Sequence, residues 1–130
     1  MLTYIWIGLG SAIGGVARHL ISEWSVKQWG IEFPWGTLIV NSVGSFLIGF
    51  VAALAMNTQK AWIGLGGQQF LMIGVLGGFT TFSSFSLQNL NLFYLGIWPR
   101  ALANIIASLA LGLLTVWLGH KLGNALIQRF

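Results

Sequence analysis

Apolar residues run along this chain in four long stretches, separated by short segments where charge, proline or amide side chains collect. The first covers residues 4–21 and is interrupted only near its end, by Arg18 and His19. Its Gly10, Gly14 and Arg18 fall at four-residue spacing on one helix face, where small residues let another helix approach closely. Residues 22–33 hold both acids together with Lys27, Trp24 and Trp29. They read as an interfacial connection with aromatic anchors, ended by Pro34-Trp35-Gly36. The second stretch, 37–56, has Asn41 as its only strongly polar side chain and is closed by Asn57 to Lys60. The last, 99–118, opens at Pro99, a residue suited to the first turn of a helix, and is followed by His120, Lys121 and Arg129.

The third stretch does not fit one straight rod. From Ala61 to Pro99 there is no formal charge, and as a single helix this segment would measure about 58 Å at 1.5 Å per residue. The hydrocarbon core is only about 30 Å thick. Two full spans hardly fit either, because the run Gly77-Gly78-Phe79-Thr80-Thr81-Phe82-Ser83-Ser84-Phe85-Ser86 occupies the middle. The pattern predicts one span over 63–95, broken at its centre near 77–84. Irregular backbone at membrane depth is tolerated only where protein or a watery cavity satisfies it, and interrupted helices are where transporters place ion sites. The break is therefore the first place to look for function.

Composition sharpens this into a fold class. Only 6% of residues are charged, against roughly 25% in soluble domains, so the chain reads as an all-α integral membrane protein forming a single membrane domain over residues 1–130. Four spans of about 20 residues leave no stretch for a separate catalytic or nucleotide-binding domain. There is no Asp, no Cys and only two isolated His, which excludes disulfides, thiol chemistry and Cys-based metal sites. No nucleophile–base pair can be assembled, so an enzyme is not expected. The net charge of +4 comes from scattered residues, a poor match for nucleic acid. The segment before the first span lacks a positive n-region, so targeting falls to the spans themselves.

Four spans place both termini on one side, with Lys60, Lys121 and Arg129, while Lys27 and Arg100 lie opposite, with Arg18 close to that interface. The positive-inside rule finds nearly a tie, the pattern of a chain that inserts in both orientations.

Polar groups inside a bilayer are costly and face protein or water. Here they are Asn41 on the second span, Thr80, Thr81, Ser83, Ser84, Ser86, Gln88, Asn89 and Asn91 on the third, and Asn104 and Ser108 on the fourth. All are neutral. A carrier coupled to protons or cations is expected to hold a carboxylate at membrane depth, where neither Glu23 nor Glu32 lies; hydroxyl and amide donors instead suit a dehydrated small anion. Phe79, Phe82 and Phe85 recur among the hydroxyls. Their electropositive ring edges can favour an anion, while the same rings can serve as packing bulk and the hydroxyls can bond their own backbone. Spacing alone leaves both readings open.

The stretch Gly10-x-x-x-Gly14-x-x-x-Arg18, then Pro34-Trp35-Gly36-Thr37-Leu38 followed by Asn41, and above all Gly77 through Ser86, resemble the Fluc family of small bacterial fluoride channels. The motifs keep their order from the first span to the last. The resemblance implies an antiparallel, dual-topology homodimer in the bacterial plasma (inner) membrane, with two pores that pass fluoride out of the cytoplasm and a structural sodium ion at the centre. Carried over by motif, Phe82 and Phe85 are the pore-facing aromatics and Asn41 a donor near them. Ser83, Ser84, Ser86 and Ser108 contribute a hydroxyl track, with the choice among the three clustered serines open. Gly77 and Thr80 offer backbone carbonyls to sodium, and Arg18 is either a vestibule residue or an interfacial anchor.

Three positions depart from the family pattern: Gln88 where Glu is usual, Asn104 where an aromatic residue or histidine is frequent, and Gly112 where some members have a hydroxyl. Two other readings stand beside the channel. One is a small dual-topology, proton-coupled exporter, for which Glu23 is the candidate acid. The other is a non-conducting partner in a paired fluoride channel, favoured by Gln88 and Gly112.

Overall fold

A computed structural model describes residues 2–56 and 63–129. The connection at Asn57–Lys60, including the charge of Lys60, lies outside the described residues. Among these residues four helical segments are long and apolar enough to cross a membrane: Leu2–Trp29, Trp35–Met56, Leu65–Tyr94 and Trp98–Ile127.

Helix α1 (Leu2–Trp29) is longer than the apolar stretch that predicts it. Residues 22–29, expected as a connection, are its last two turns, because nothing in Ser22 to Trp29 breaks a helix before Gly30. That glycine adopts φ +76° and its N–H closes on the Val26 carbonyl at 2.8 Å, a left-handed stop that a residue without Cβ makes cheaply. A short link leads to α2 (Trp35–Met56). Around it Trp24, Trp29, Phe33 and Trp35 stack in series, with ring centroids 4.6–6.0 Å apart. The Arg100 guanidinium donates to the Glu32 carboxylate at 2.8 Å, tying this link to the start of the last helix.

The third span is two helices. The first, α3 (residues 65–79), begins as an α-turn at Leu65–Gln68, widens into a π-helical run over Gln69–Leu76 and closes with a turn at Gly77–Phe79. The second, α4, is Phe82–Tyr94. Only Thr80 and Thr81 between them are extended, at φ/ψ −78/157° and −152/117°, a narrower break than the expected 77–84 because Gly77–Phe79 stays helical. The π-helical widening carries no pattern that the sequence reading detected. Helix α5 (Trp98–Ile127) has proline in its first turn and continues about two and a half turns past residue 118.

Glycine faces bring the helices together. Gly10 of α1 lies against the α3 backbone so closely that a Cβ there would stand 2.7 Å from the Phe70 carbonyl oxygen, and one on Gly78 would stand 2.5 Å from that of Ser11. On the other side α2 and α5 interlock through Gly49, Gly119 and Gly123, the last two fitting against the backbone of Phe46 and Phe50. Large apolar side chains point outward from every span, Tyr4, Leu20, Ile73, Leu102 and Leu113 among them. The interior is small-residue and partly polar: Val40 and Asn104 are the largest fully buried side chains among the described residues. This is the inverse of a soluble core and suits a hydrocarbon surrounding.

Candidate functional site

The break is built around one threonine and one asparagine. Leaving the helix at Thr80 would strand the Thr81 backbone, since its N–H and C=O have no water at membrane depth. Asn41 on α2 supplies both partners: its Oδ1 accepts from the Thr81 N–H at 2.8 Å and its Nδ2 donates to the Thr81 carbonyl at 3.0 Å. Gly44, one turn along α2, makes room, because a Cβ there would run into the Thr80 methyl.

Thr81 then starts α4. Its Oγ1 accepts from the Ser84 N–H at 3.1 Å, the usual cap of a helix N-terminus, and donates to Ser84 Oγ at 3.1 Å. Ser83 Oγ lies 3.2 Å from the same atom. Three hydroxyls thus meet at the first turn of α4, where unpaired N–H groups and the helix dipole favour negative charge.

These substitutions also release two carbonyls. In an unbroken helix the Gly77 carbonyl would receive the Thr81 N–H and the Thr80 carbonyl the Ser84 N–H. The first N–H is given to Asn41 and the second to the Thr81 hydroxyl. Gly77 is exposed, so this rim of the break faces outward from the chain.

The rings lie beside the hydroxyls. Phe82 and Phe85 are 5.6 Å apart between centroids at 41°, and Phe82 is 76% exposed. Ser83 and Ser86 share that open side, Ser86 Oγ donating to the Phe82 carbonyl at 2.9 Å. A recess of about 260 Å³ beside them is lined by Asn41, Gly44, Ser45 and Ile48 of α2 and by Thr80, Thr81 and Phe82. The structure therefore brings together Asn41, Phe82, Phe85, Ser83, Ser84, Ser86, Gly77 and Thr80. Within one chain this group forms an open surface and not a closed passage.

Ser108 and Arg18 stand apart from that cluster. Ser108 Oγ donates to Asn104 Oδ1 at 3.4 Å. Asn104 donates in turn to Asn89 Oδ1 at 3.1 Å, and Asn89 Nδ2 to the Phe85 carbonyl at 2.8 Å. Arg18 sits one turn beyond Gly14 on α1, half-buried, and among the described residues no hydrogen bond joins it to the break. The sequence reading missed the doubled bond between Asn41 and Thr81 and the Asn89–Asn104 pair. Thr81 followed by Ser84 is a legible capping pattern; the amide pair joins separate helices and has no local signal.

A second recess of about 300 Å³ lies toward the aromatic end, between the α1–α2 link and α4, with Glu32, Trp35, Gln88 and Asn91 on its walls. Gln88 Oε1 is buried there without a hydrogen-bond partner among the described residues. Glu23 is placed outside both recesses, half-exposed and 3.4 Å from His19 on its own helix. That position supplies no acid inside the bundle for a coupled exporter.

Comparison with known proteins finds matches over almost the whole chain. The family described as "CrcB-like protein, Camphor Resistance (CrcB)" matches residues 5–120. The "Fluoride-specific ion channel FluC" of Opitutus terrae is 53% identical over 120 residues, covering 92% of this chain and 91% of that relative. The proteins of the same name from Methylocella silvestris and Agrobacterium fabrum are 48% and 45% identical, covering 98% and 97% of this chain and 97% and 99% of their own lengths. With four membrane-crossing helices and a match of this extent, the chain belongs to the CrcB family of multi-pass membrane proteins.

Proposed function

We propose that this chain is a passive, fluoride-selective channel of the bacterial plasma membrane, which lets fluoride leave the cytoplasm down its electrochemical gradient. It is an ion channel and not an enzyme. The observation that carries this reading is the collection of ring edges, hydroxyls and one amide at the N-terminus of α4, exposed on the side of the chain and without a fixed cation. Phe82 and Phe85 offer electropositive edges, Ser83 and Ser84 offer hydroxyls, Ser86 adds a third when its O–H turns from the Phe82 carbonyl to the ion, and the second N–H of Asn41 remains after its bond to Thr81. Such donors replace the hydration of a small anion at short range yet bind weakly enough to release it. Arg18 draws anions toward the mouth from the vestibule.

An exposed cluster of this kind calls for a cover, and a second copy of the chain in antiparallel orientation supplies one. The tied lysine and arginine count supports insertion both ways, and a two-fold axis in the membrane plane would give two equivalent pores. The released carbonyls of Gly77 and Thr80, duplicated across that axis, make a neutral oxygen set that fits a monovalent cation better than a divalent one, whose charge carboxylates usually compensate. Sodium held there would serve as structure between the two breaks and would not travel with fluoride.

The test is fluoride efflux from liposomes containing only this purified chain, with chloride measured in the same assay. Fluoride-selective efflux is the expected result, slowed when sodium is removed from both sides and not driven by a sodium gradient. Equal passage of chloride, or sodium-driven fluoride accumulation, would overturn the proposal. The unpaired Gln88 oxygen favours a second reading, in which this chain conducts only beside a paralogue; an inactive chain restored by such a partner would establish it.

A further inference from the structure

We infer that Asn104, acting through Asn89, is a positioning residue for the Phe85 ring: the buried amide pair fixes how α4 is rotated about its own axis. The inference rests on the channel reading for its functional meaning, and on geometry for the rest.

Asn104 is 0% exposed and Asn89 5% exposed, so both amides are removed from solvent and lipid. They meet across the α4–α5 boundary, Asn104 Nδ2 donating to Asn89 Oδ1 at 3.1 Å. Asn89 is held in that orientation because its own Nδ2 is committed to the Phe85 carbonyl at 2.8 Å, one turn earlier. The direction of donation is continuous, from Ser108 through Asn104 and Asn89 to the backbone of the residue whose ring is at issue.

Helix α4 needs such a device. It packs much less extensively on α5 than α2 does, and the bonds that hold its N-terminus, from Asn41 to the Thr81 backbone, lie about two turns away from Asn89 and act on the extended link rather than on the body of the helix. Apolar contacts would tolerate several rotations of α4, whereas an amide facing an amide in a dry interior is satisfied in one. A turn by a single residue, about 100°, would carry Asn89 away from Asn104 and move the Phe85 ring off the α4 face on which it now lies 5.6 Å from Phe82. Buried polar pairs elsewhere fix the register of packed helices while lowering their stability relative to apolar packing.

That last property separates positioning from mere packing. Asn104→Leu leaves Asn89 Oδ1 buried and unpaired and should lower the melting temperature. The double variant Asn89→Leu/Asn104→Leu replaces both amides with apolar groups of similar size, which is often neutral or stabilising, and should regain or exceed the original melting temperature. Fluoride efflux should nevertheless stay down by about tenfold in both, with reduced preference over chloride, the equivalent of one displaced contact.

A flux-independent readout completes the test. With 4-fluorophenylalanine placed at position 85 or, as a control, at position 79, the fluorine resonance at 85 should shift and broaden in both variants and that at 79 should not. Recovery of stability, efflux and the position-85 resonance together in the double variant would show that the pair only packs. If the unmodified chain conducts no fluoride, the channel reading fails by that measurement, and the resonance at 85 alone decides whether the pair positions the ring.

Discussion

The α2–α5 pair and the broken third span meet the same requirement, burial of backbone polar groups without water, by opposite means. In α2 and α5 every interior group is paired along its own helix, and glycines bring the two backbones together. In the third span the helical pairing stops after the Thr80 N–H, which still reaches the Leu76 carbonyl, and side chains take its place: Asn41 for the Thr81 backbone, the Thr81 hydroxyl for the Ser84 N–H. The first arrangement is tolerant of side-chain chemistry and intolerant of volume. The second is the reverse, since each replaced bond depends on one functional group. Only the second leaves a helix end, hydroxyls and carbonyls outside the regular backbone pairing, and these are the groups on which the proposed ion path draws.

The contrast can be tested in order of the stability each change should remove. Asn41→Leu strands both the N–H and the C=O of Thr81. At about 1–3 kcal/mol for each unsatisfied group, this should be the most damaging substitution in the molecule, read as loss of folded protein in thermal denaturation and of all fluoride efflux. A variant that melted like the parent would show that the break is held by something other than Asn41.

Gly119→Ala sets a methyl group against the Phe46 carbonyl of α2. Overpacking of this kind costs about 1–3 kcal/mol. Efflux per folded molecule should be preserved, because α2 and α5 meet there away from the rings; a selective loss of efflux at full stability would contradict the division between scaffold and site.

Thr81→Val keeps the β-branched shape suited to the extended backbone and removes only the hydroxyl. Losing that cap should cost about 1 kcal/mol, and efflux should fall further than stability does, since Ser83 and Ser84 lose their common partner. Comparing the melting temperature with single-channel or liposome flux checks this.

Phe82→Ile should have the smallest effect on the fold, within about 0.5 kcal/mol as at other surface sites, because the ring is 76% exposed in the chain. Efflux should nonetheless drop sharply, for the apolar bulk remains while the electropositive edge is gone. Phe85→Ile should lower efflux in the same way, at a larger cost to the fold because that ring is half-buried. Normal efflux from both would return these rings to a packing role.

The sequence by itself determined the medium, the number of crossings and the neighbourhood of the site, because each depends on local quantities. Scarcity of charge demands hydrocarbon, stretch length counts the spans, and Gly77 through Ser86 cannot continue an apolar rod. The close approach at Gly10 and Gly14 was legible for the same reason, since four-residue spacing places them on one face. It was a poorer guide to where α1 ends, because tryptophans and charges at an interface look like a connection while the backbone remains free to stay helical up to Gly30. Asn41, Asn89, Asn104 and Ser108 were visible only as polar residues at depth. Which backbone or amide each one satisfies depends on how α2, α4 and α5 are rotated against one another, and a hydrogen bond is decided by tenths of an ångström between atoms 15 to 40 residues apart. Only the tertiary structure fixes that rotation, and with it the different partners of Asn41, which holds the break, and Asn104, which meets Asn89 across the α4–α5 boundary.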